Sequence, residues 1–456
     1  MIKKLRERNI HLLVLVFFTG LFLGINLSFR LKAEEPSYGY LDYFHQAYQI
    51  ISAEYVEKID AKKVFYGAIK GMLQALGDPF SRFLNEEDFA ELKEETTGKF
   101  VGIGVEITAR DGEIVVISPI DETPAMRAGL RAGDVITSVN GVEIKNKTVA
   151  EIVKLIKGIP NTKVSLVVKR EAVDEPLSFE IEREPIKLES VRYDIFKDQN
   201  VGYIKVKVFG SETPREIEKA LNAMNEKAVD RLIVDLRWNP GGQLDKSITI
   251  ANYFLEKDTL IVSTRGREGT DSFAEYKAKN DPLFRGKLVV LVNKGSASAS
   301  EIFSGAMRDN GRAKLVGEKT FGKGSVQKVY NLSESIGMAV TVAKYYTPSG
   351  VSIHGTGIVP DIPVEMDGFS EKERPMINRV YREKLVEEFV RNHRAYTAQS
   401  RKEFIDFLAA KDIKISEKNA YFILKSEIGK YSKQPVFDLE FDTQLKTALD
   451  VVNAAR

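Results

Sequence analysis

The spacing of apolar residues changes along the chain and divides it into regions of different predicted structure. In segments 43–56 (YFHQAYQIISAEYV) and 64–76 (VFYGAIKGMLQAL), apolar residues recur every three or four positions, which predicts two amphipathic helices. Gly77 and Pro79 follow, and both residue types are typical of a helix end. The sequence therefore predicts a helical N-terminal region over residues 36–95.

The period changes to two in the next region, residues 96–186. GKFVGIGVEI and EIVVISPI alternate apolar residues with others as strands do, and Arg110–Gly112 between them is a turn sequence. One helix is expected at 148–158 (TVAEIVKLIKG), followed by two further strands. This pattern predicts a compact β-rich domain.

From residue 187 to 366, strand and helix patterns alternate. KLVVLV at 287–292 predicts a strand, and SASEIFSGAMRDNG directly after it predicts a helix ended by Gly311. Such alternation is typical of an α/β core built on a mixed sheet. Residues 367–456 are charged and helical, and we expect them to cap the core or mediate dimerisation. Their recurrent apolar positions are Phe404, Phe407, Leu408, Phe422, Ile423, Leu445 and Leu449.

Composition narrows the kinds of site that this chain can carry. Its 456 residues include 67 basic and 65 acidic side chains, so a nucleic-acid-binding surface is not expected. The absence of cysteine excludes disulfides, thiolate zinc sites and cysteine nucleophiles. The four histidines are scattered along the chain, and neither a metal nor a cofactor is expected; they are His11, His45, His354 and His393.

The first 35 residues predict a membrane anchor. Four basic residues lie within the first eight positions and precede an uncharged run, Leu12–Phe29, whose length is at the lower limit for a membrane-spanning helix. The basic flank is expected to stay in the cytoplasm. A cleaved signal peptide is the alternative, although RLKAEEP offers no clear cleavage site. Both interpretations place the bulk of the chain outside the cytoplasm, in the periplasm or at the cell exterior.

A glycine-containing loop at 102–105 (GIGV) has the chemistry of a carboxylate site. Its glycines let successive main-chain N–H groups point towards one position, and the strand after it can pair with an extended peptide. Alone, this loop favours an ordinary glycine hairpin. Together with AGLRAGDVITSVNG at 128–141, it resembles the PDZ domain. Peptide-binding residues are then expected at Gly102, Ile103, Gly104, Val105, Ile152 and Ile156, the last two lining an apolar pocket.

The stretch NKGSASASEIFSG at 293–305 lies where a nucleophile could be mounted. It joins a predicted strand to a predicted helix, and a helix N-terminus offers unpaired N–H groups to an oxyanion. A plain helix cap is the alternative, since Ser298 and Glu301 form a capping-box sequence. For this stretch alone the cap is favoured, because the G-x-S-x-G motif of many hydrolases is absent.

A serine nucleophile needs a base, and two residues are candidates. His354 lies in SIHGTG, a turn-like sequence that suggests a surface position. Lysine can serve instead when burial lowers its pKa towards neutrality. Lys323 lies between two glycines in TFGKGSVQ at 320–327, so the backbone there can come close to a partner. For this motif alone, a solvent-exposed turn lysine is the favoured alternative.

A third motif, DLRWNPGG at 235–242, ends a predicted strand in a Pro-Gly-Gly turn. Alone it is a turn. The three motifs together, in this order after the PDZ-like region, resemble the carboxy-terminal processing (tail-specific) proteases, a family of serine–lysine peptidases. GMLQALGDPFSRFL and YYTPSGVSIHGTGIVPD agree with the same family, so the resemblance covers about residues 38–363.

The resemblance implies a catalytic mechanism for the residues at matching positions. Ser298 would be the nucleophile, Lys323 the general base and Gln327 the residue that holds the lysine in place. Lysine would take the hydroxyl proton as serine attacks a peptide carbonyl and return it to the leaving amine, and water would hydrolyse the acyl-enzyme. No cofactor takes part in this scheme.

The resemblance also assigns the residues around the nucleophile. The oxyanion donors would be the N–H of Ala299 and one N–H from the turn of Gly241 and Gly242. Ser300 is the serine most easily mistaken for the nucleophile. Glu301 either tunes the site or caps the helix, and capping is the preferred interpretation.

Two residues depart from the family's pattern. Lys157 stands where relatives often have an arginine that couples the PDZ domain to the core, and lysine lacks the bidentate geometry of arginine, which makes that coupling role doubtful. Trp238 stands where relatives commonly have a polar residue, and it either shapes the substrate groove or packs.

The sequence thus predicts a mixed-sheet α/β serine protease core, residues 187–366, with an inserted β-rich PDZ domain and helical N- and C-terminal regions. The expected function is that of an extracytoplasmic endopeptidase whose PDZ domain binds free C-terminal tails, anchored to the membrane and forming a homodimer, as relatives do through their terminal helices. A catalytically silent PDZ adaptor and a thioester hydrolase on a related core are the alternatives. The intact set of Ser298, Lys323 and Gln327 argues against the adaptor.

Overall fold

The computed structural model of the protein describes residues 38–454, except 98, 111, 121–122, 132, 171–174, 188, 270–272 and 430–434. These residues form two compact units, divided after Ala75. The predicted membrane anchor lies outside the described residues. Within the part of the chain that is described, no helix combines the length and the apolar character needed to cross a membrane.

The described residues of the first unit form two helices, α1 (Tyr38–Glu54) and α2 (Ala61–Gln74). The Asp60 side chain accepts a hydrogen bond from Lys63 N–H and so caps the start of α2. Among the side chains described in these two helices, only Leu73 is buried. Their predicted apolar stripes are therefore exposed within this unit.

The second unit begins at Leu76 and leads into the β-rich domain. Its first elements are β1 (Arg82–Leu84), α3 (Glu86–Thr97) and β2 (Lys99–Gly102). β2 pairs with β9 (Glu184–Lys187) in an antiparallel ribbon, through which the chain enters and leaves the β-rich domain.

Six strands and two helices form the β-rich domain between these ribbon strands. In chain order they are β3 (Val105–Arg110), β4 (Glu113–Pro119), α4 (Pro124–Arg127), β5 (Val135–Val139), β6 (Val142–Glu143), α5 (Val149–Ile156), β7 (Lys163–Lys169) and β8 (Leu177–Glu182). The strands pair in the order β3-β4-β5-β7-β8, with β6 on β5. Helix α5 starts at a capping box of Thr148 and Glu151 and buries one apolar face against the sheet.

A six-stranded mixed sheet forms the centre of the α/β core. Its elements are β10 (Val191–Phe196), β11 (Val201–Val206), α6 (Thr213–Asn225), β12 (Arg231–Asp235), α7 (Leu244–Asn252), β15 (Lys287–Val292), α8 (Ala299–Asp309), β16 (Lys314–Gly317) and β19 (Ile362–Pro363). The order is β10-β11-β12-β15-β16-β19, and every pairing except β10 with β11 is parallel.

Both faces of this sheet are covered, which explains the continuous apolar run of β15. Leu288, Val290 and Val292 pack with α6, α7 and α8 on one face. Val289 and Leu291 pack on the other face, against a C-terminal helix that runs from Thr443 to Asn453. The strand is therefore apolar at every position, as buried parallel strands are.

A second, antiparallel sheet stands beside the first. Its strands are β13 (Leu260–Gly266), β14 (Ala274–Lys277), β17 (Ser325–Asn331) and β18 (Gly337–Tyr346), and β1 pairs with β18. The order is β1-β18-β13-β14, with β17 also on β18. Its strand β17 directly follows the candidate lysine loop, whereas β16, which precedes that loop, belongs to the mixed sheet.

The described residues of the C-terminal region form five helices. They are α9 (Arg374–Arg382), α10 (Leu385–Val390), α11 (Ala398–Ala410), α12 (Glu417–Gly429) and α13 (Thr443–Asn453). Phe404, Leu408 and Ile423 lie in a separate apolar cluster formed by α9 to α12. Leu445 and Leu449 instead bring α13 onto the central sheet. The predicted fold class, a mixed α/β core with a β-rich insertion and helical termini, is confirmed.

A buried ion-pair network fixes α13 to the end of β12. The guanidinium of Arg237 donates to Asp235 at 2.7 Å and to Asp442, the residue before α13, at 2.7 Å. The Lys205 ammonium donates to Asp235 at 3.1 Å. Burial by itself would raise the pKa of Asp235, but Lys205 and Arg237 hold it well below its ordinary value. The network lies directly before the Pro-Gly-Gly turn.

We predict that Arg237→Ala lowers the free energy of unfolding by roughly 3–5 kcal/mol, because it leaves the Asp235 carboxylate buried with one partner fewer. Chemical denaturation at pH 7 measures this loss. Since folding depresses the pKa of Asp235, its contribution is present above the unfolded value of about 3.9 and is lost only as the pH falls through the folded value.

The matched control is Arg285→Ala, which removes an exposed ion pair with Glu256 and is expected to cost less than about 1 kcal/mol. Equal losses in the two variants would contradict the account of the network.

Candidate active site

Ser298 lies between β15 and α8 in a strained backbone conformation. Its φ is 54° and its ψ is −113°, a region that residues with a side chain rarely occupy. Residues 299–307 of α8 are all buried, so the helix start is fixed by packing. Strain of this kind persists where the surroundings enforce it, often at functional sites. The turn thus presents Ser298 as a nucleophile elbow does, although the G-x-S-x-G motif is absent.

The neighbouring serines are used for structure. Ser296 Oγ donates to the Leu236 carbonyl at 2.8 Å, and Ser300 Oγ donates to the Asn239 carbonyl at 2.9 Å. Both hydroxyls therefore join the serine stretch to the DLRWNPGG segment. Ser304 Oγ is buried in α8 without a hydrogen-bond partner among the described residues.

The Pro-Gly-Gly turn lies directly against Ser298. A Cβ placed on Gly241 would be 2.8 Å from Ser298 Cβ and 2.9 Å from Ala299 N, so only glycine fits there. Gly241 N–H already donates to Asn239 Oδ1 at 2.9 Å, which leaves Gly242 N–H as the better candidate donor from this turn. Ala299 is the first residue of α8, where an N–H has no acceptor within the helix.

The carboxylate of Glu301 joins the serine turn to the lysine loop. Its Oε2 accepts from Ser298 N–H at 2.9 Å and from Lys323 N–H at 2.8 Å. Its Oε1 accepts from Thr320 Oγ at 2.5 Å and from Gly322 N–H at 2.7 Å. The main-chain nitrogens of Ser298 and Lys323 are thus within two hydrogen-bond lengths of each other.

Sequence reasoning favoured a plain capping role for Glu301, and the geometry shows more than capping. The residue is fully buried, and this burial raises the pKa of its carboxyl, while the hydrogen bonds from Thr320, Gly322, Ser298 and Lys323 act in the opposite direction. In the sequence, the signal for this second role was an acidic residue within an otherwise small and apolar helix segment, SASEIFSGAM.

Lys323 lies in a loop that is tightly packed against its surroundings. A Cβ on the following Gly324 would be 2.3 Å from the main-chain nitrogen of His354, so this glycine permits the close approach. The Lys323 ammonium lies over the ring of Phe80, with Nζ 5.2 Å from the ring centroid. His354, expected at the surface, is half-buried and meets the same ring edge-on at 6.3 Å.

Gln327 is on β17, four residues after the lysine. Its side-chain amide donates to Ser325 Oγ at 2.8 Å and to Thr341 Oγ1 at 3.2 Å. These bonds fix the amide beside the lysine loop. The role of Gln327 in holding Lys323 stays a prediction.

The GIGV loop of the β-rich domain turns back at Gly104, where φ is +74°. A Cβ there would lie 2.3 Å from Thr123 Cβ, so the position accepts only glycine. Thr123 Oγ1 donates to the Gly104 carbonyl at 2.9 Å, and this hydrogen bond holds the loop in place. Ile103 is 1% exposed, and Val105 begins β3, the strand expected to pair with a peptide.

Ile152 and Ile156 were expected to line a pocket beside this loop. They are 0% and 6% exposed and belong to the core of the β-rich domain, because residues four apart on α5 face the sheet together. Val149 and Val153, on the neighbouring stripe of α5, are half-buried. Sequence reasoning did not single out these two residues, although the same helical spacing identifies them.

Lys157 and Trp238 differ in their surroundings. Lys157 ends α5 and places its ammonium 5.1 Å from the ring centroid of Phe100, in the ribbon strand β2. Trp238 has a φ of +61° and is 56% exposed, held by a hydrogen bond from its N–H to Asn293 Oδ1. Its ring packs closely over Gly295, where a Cβ would be 2.5 Å from the indole. Trp238 is therefore an exposed residue at the serine turn.

Three family models match the chain. The model for peptidase family S41 matches residues 200–364, and the model for the PDZ domain matches residues 115–170. A third, for the activating protease CtpB N-terminal domain, matches residues 28–88. The core and the β-rich domain thus match separate families, as the sequence resemblance implied.

Curated relatives match over most of their length. A carboxy-terminal-processing protease of Bartonella bacilliformis is 40% identical over 362 residues, 77% of this chain and 82% of the relative. A probable CtpA-like serine protease of Staphylococcus aureus is 37% identical over 355 residues, 77% of this chain and 70% of the relative. The solved photosystem II D1 C-terminal processing protease is 31% identical with a TM-score of 0.43, and the match covers 72% of this chain and 88% of that one. The identity and coverage of the Bartonella bacilliformis relative show that the chain belongs to the S41 serine peptidases with a PDZ domain, the carboxy-terminal-processing proteases.

Proposed function

We propose that this peptidase cleaves peptide bonds with Ser298 as nucleophile and Lys323 as general base. The observation that supports this assignment best is the shared carboxylate oxygen of Glu301, which accepts from the main-chain N–H groups of both residues. Of the four serines in the stretch, Ser298 alone has a strained backbone with φ of 54° at the helix start. The hydroxyls of Ser296 and Ser300 are engaged with main-chain carbonyls.

The reaction then runs in two balanced steps. The neutral amine of Lys323 takes the proton of Ser298 as Oγ bonds to the peptide carbonyl carbon, and the N–H groups of Ala299 and Gly242 stabilise the oxyanion. The C–N bond breaks as the ammonium returns its proton to the leaving amine, which gives an acyl-enzyme. Water then attacks the ester with Lys323 again as base, releasing a carboxylate product and the serine hydroxyl.

We propose further that the PDZ domain captures substrates or regulators by their free C-terminal tails. The support is the loop at Gly102–Val105, in which Gly104 has a φ of +74° and Thr123 fixes its carbonyl. Successive main-chain N–H groups in such a loop suit a carboxylate, and β3 offers an edge for the peptide backbone. Ile152 and Ile156, which are buried, would form the floor of the side-chain pocket and Val149 and Val153 its wall.

The N-terminal sequence supports an extracytoplasmic location. Its basic flank and the apolar run Leu12–Phe29 favour a single anchor that leaves the peptidase outside the cytoplasm. Retention of the chain in the membrane fraction after alkaline carbonate washing tests the anchor, and release into the supernatant would contradict it.

A homodimer is supported by the exposed apolar residues of the first unit. Helices α1 and α2 and the turn between them expose large apolar side chains that a monomer would leave in water. They are Tyr40, Leu41, Tyr43, Phe44, Ile50, Ile51, Tyr55, Val56, Phe65 and Met72. We propose that a second copy of the chain covers this surface.

The dyad predicts a distinct pattern among serine variants. Ser298→Ala and Lys323→Ala should each lower the rate of casein cleavage by at least about 10³-fold, because neither step can proceed without nucleophile or base. Ser304→Ala is the control, since its hydroxyl has no hydrogen-bond partner among the described residues, and it should keep the parent rate. Casein cleavage that persists in both Ser298→Ala and Lys323→Ala would contradict the assignment. A parent protein that is inactive even with added tail peptides would favour a catalytically silent adaptor.

Replacing Glu301 should disrupt catalysis without removing either dyad residue. In Glu301→Gln, an NH₂ group replaces one acceptor oxygen and faces N–H donors, so kcat should fall about 100-fold, the equivalent of roughly 3 kcal/mol. Steady-state kinetics on a short peptide measure this loss. The control is Glu216→Gln, a carboxylate that accepts from Ser190 and Val191 elsewhere in the core and should lose stability only. Equal kcat values in the two variants would contradict the role of Glu301.

Tail recognition should depend on Gly104. Gly104→Ala would place a methyl group against Thr123 and should weaken binding of a peptide with a free C-terminal carboxylate by tenfold or more, measured by calorimetry. Gly141→Ala is the matched control, since this glycine also has a positive φ, +75°, but open space around it. The C-terminally amidated peptide should bind weakly to the parent. Equal binding of acid and amide would rule out carboxylate capture.

The proposed dimer should respond to a charge placed within the exposed apolar surface. Ile50→Lys is expected to halve the mass measured by light scattering, because it buries an unpaired ammonium in the interface. Glu57→Lys places the same charge at an exposed polar position nearby and should leave the dimer intact. A parent that is monomeric at micromolar concentration would contradict the proposal.

A further inference from the structure

The ring of Phe80 covers the amine of Lys323. The distance from Nζ to the ring centroid is 5.2 Å, within the range at which the face of an aromatic ring attracts a cation. We propose that Phe80 is a positioning residue that holds the Lys323 side chain and stabilises its ammonium form during the reaction. This inference deepens the proposed function and rests on Lys323 as the general base.

The loop that carries Phe80 is held rigidly. The Asp78 carboxylate accepts from Phe80 N–H at 3.1 Å and from Ser81 Oγ at 2.6 Å. Ser81 Oγ in turn accepts from Thr341 N–H at 3.0 Å. Directly after this turn, β1 pairs with β18, with Arg82 opposite Ala339. The main chain that carries the ring is therefore held by these hydrogen bonds and by the pairing of β1 with β18.

The same strand that anchors this loop also anchors the strand after the lysine. Thr341 donates its N–H to Ser81, and its hydroxyl accepts from the Gln327 amide at 3.2 Å. The ring of His354 also contacts the Phe80 ring, with the two centroids 6.3 Å apart. Phe80 thus contacts both the lysine and the histidine, and β18 anchors both its loop and the strand after the lysine.

An aromatic face suits a base that changes charge during the reaction. Lys323 must be neutral before the attack and carries a positive charge as Ser298 Oγ bonds to the carbonyl. The quadrupole of the ring attracts the ammonium more strongly than the amine, so it stabilises the transition state more than the ground state. The ring is already in position, whereas water molecules would have to reorient as the charge develops. The expected consequence is a higher kcat with little change in KM.

Three other titratable groups border this arrangement. Glu301, on α8, accepts from the main-chain N–H of Lys323 at 2.8 Å. Asp78 accepts from Phe80 N–H, and His354 contacts the Phe80 ring. Substitutions at Phe80 keep these three groups but change the contact with His354, so the pH profile is also measured in a histidine variant.

The experiment compares Phe80→Leu, Phe80→Tyr and Phe80→Trp in kcat and kcat/KM for a short peptide across pH. The acid limb is the part of the pH–rate profile in which activity rises with pH. Removal of the aromatic face in Phe80→Leu should lower the apparent pKa of this limb by about 0.5–1 unit and lower the plateau kcat by about tenfold. KM should stay within about twofold of the parent's value. Tyrosine and tryptophan retain a face and should restore both values to near the parent's. Phe80→Met takes the place of the leucine variant if leucine lowers the melting temperature.

The matched control is Tyr330→Leu, which removes a lysine–aromatic contact of the same length, 5.2 Å from Lys328, on the exposed part of β17. It should leave the pH profile unchanged. His354→Gln shows whether the acid limb belongs to the histidine; loss of the limb in that variant would overturn the inference.

Other outcomes separate this inference from the proposed dyad. An acid limb that is unchanged in Phe80→Leu, or moves upward as water enters, overturns the role of the ring. So does a tyrosine variant that is no better than leucine at an equal melting temperature. Activity that survives in Lys323→Ala, or a parent without an acid limb below about 10.4, overturns the dyad itself.

Discussion

One buried carboxylate, that of Glu301, receives hydrogen bonds from the main-chain N–H groups of Ser298 and Lys323, which are 25 residues apart in the chain. Through it, the turn that carries Ser298 and the loop that carries Lys323 share one anchor. The two oxygens of a carboxylate can together accept from about four donors, whereas a main-chain carbonyl has a single oxygen with two lone pairs. Burying this acid is unfavourable, as its raised pKa shows, and the hydrogen bonds offset that cost. The geometry of the candidate active site therefore depends on a buried acid whose burial is by itself unfavourable.

The rest of the core brings two further segments to the candidate site. The turn of Gly241 and Gly242 follows β12, whose end is fixed to α13 by the pair of Arg237 and Asp442. The Phe80 loop, which is anchored to β18, places its ring against the lysine. Parallel strands end at the same edge of a sheet, which is where α/β folds place their sites. The C-terminal helix thus contributes to the site indirectly, by fixing the strand that leads into the Pro-Gly-Gly turn.

The sequence predicted the parts of this structure that local pattern controls. KLVVLV predicted β15 with the bounds it has, and the alternation after residue 187 predicted the mixed sheet. The strands β13 and β14 were not predicted, because they depend on tertiary pairing: β13 pairs with distant β18, and the four-residue β14 pairs with β13. At the site, Ser298 and Lys323 could be named from their motifs. The contact of Phe80 with Lys323 could not, since the two residues are far apart in the chain and meet only through tertiary packing.

The most direct test of this account is a high-resolution structure of the enzyme covalently modified by a peptide aldehyde. The account predicts a tetrahedral adduct on Ser298 Oγ, with its oxygen accepting from Ala299 N–H and Gly242 N–H. It also predicts Lys323 Nζ within about 3 Å of the same Oγ and Glu301 still bonded to both main-chain nitrogens. An adduct on Ser296 or Ser300, or a Glu301 carboxylate that has released the lysine loop, would contradict it.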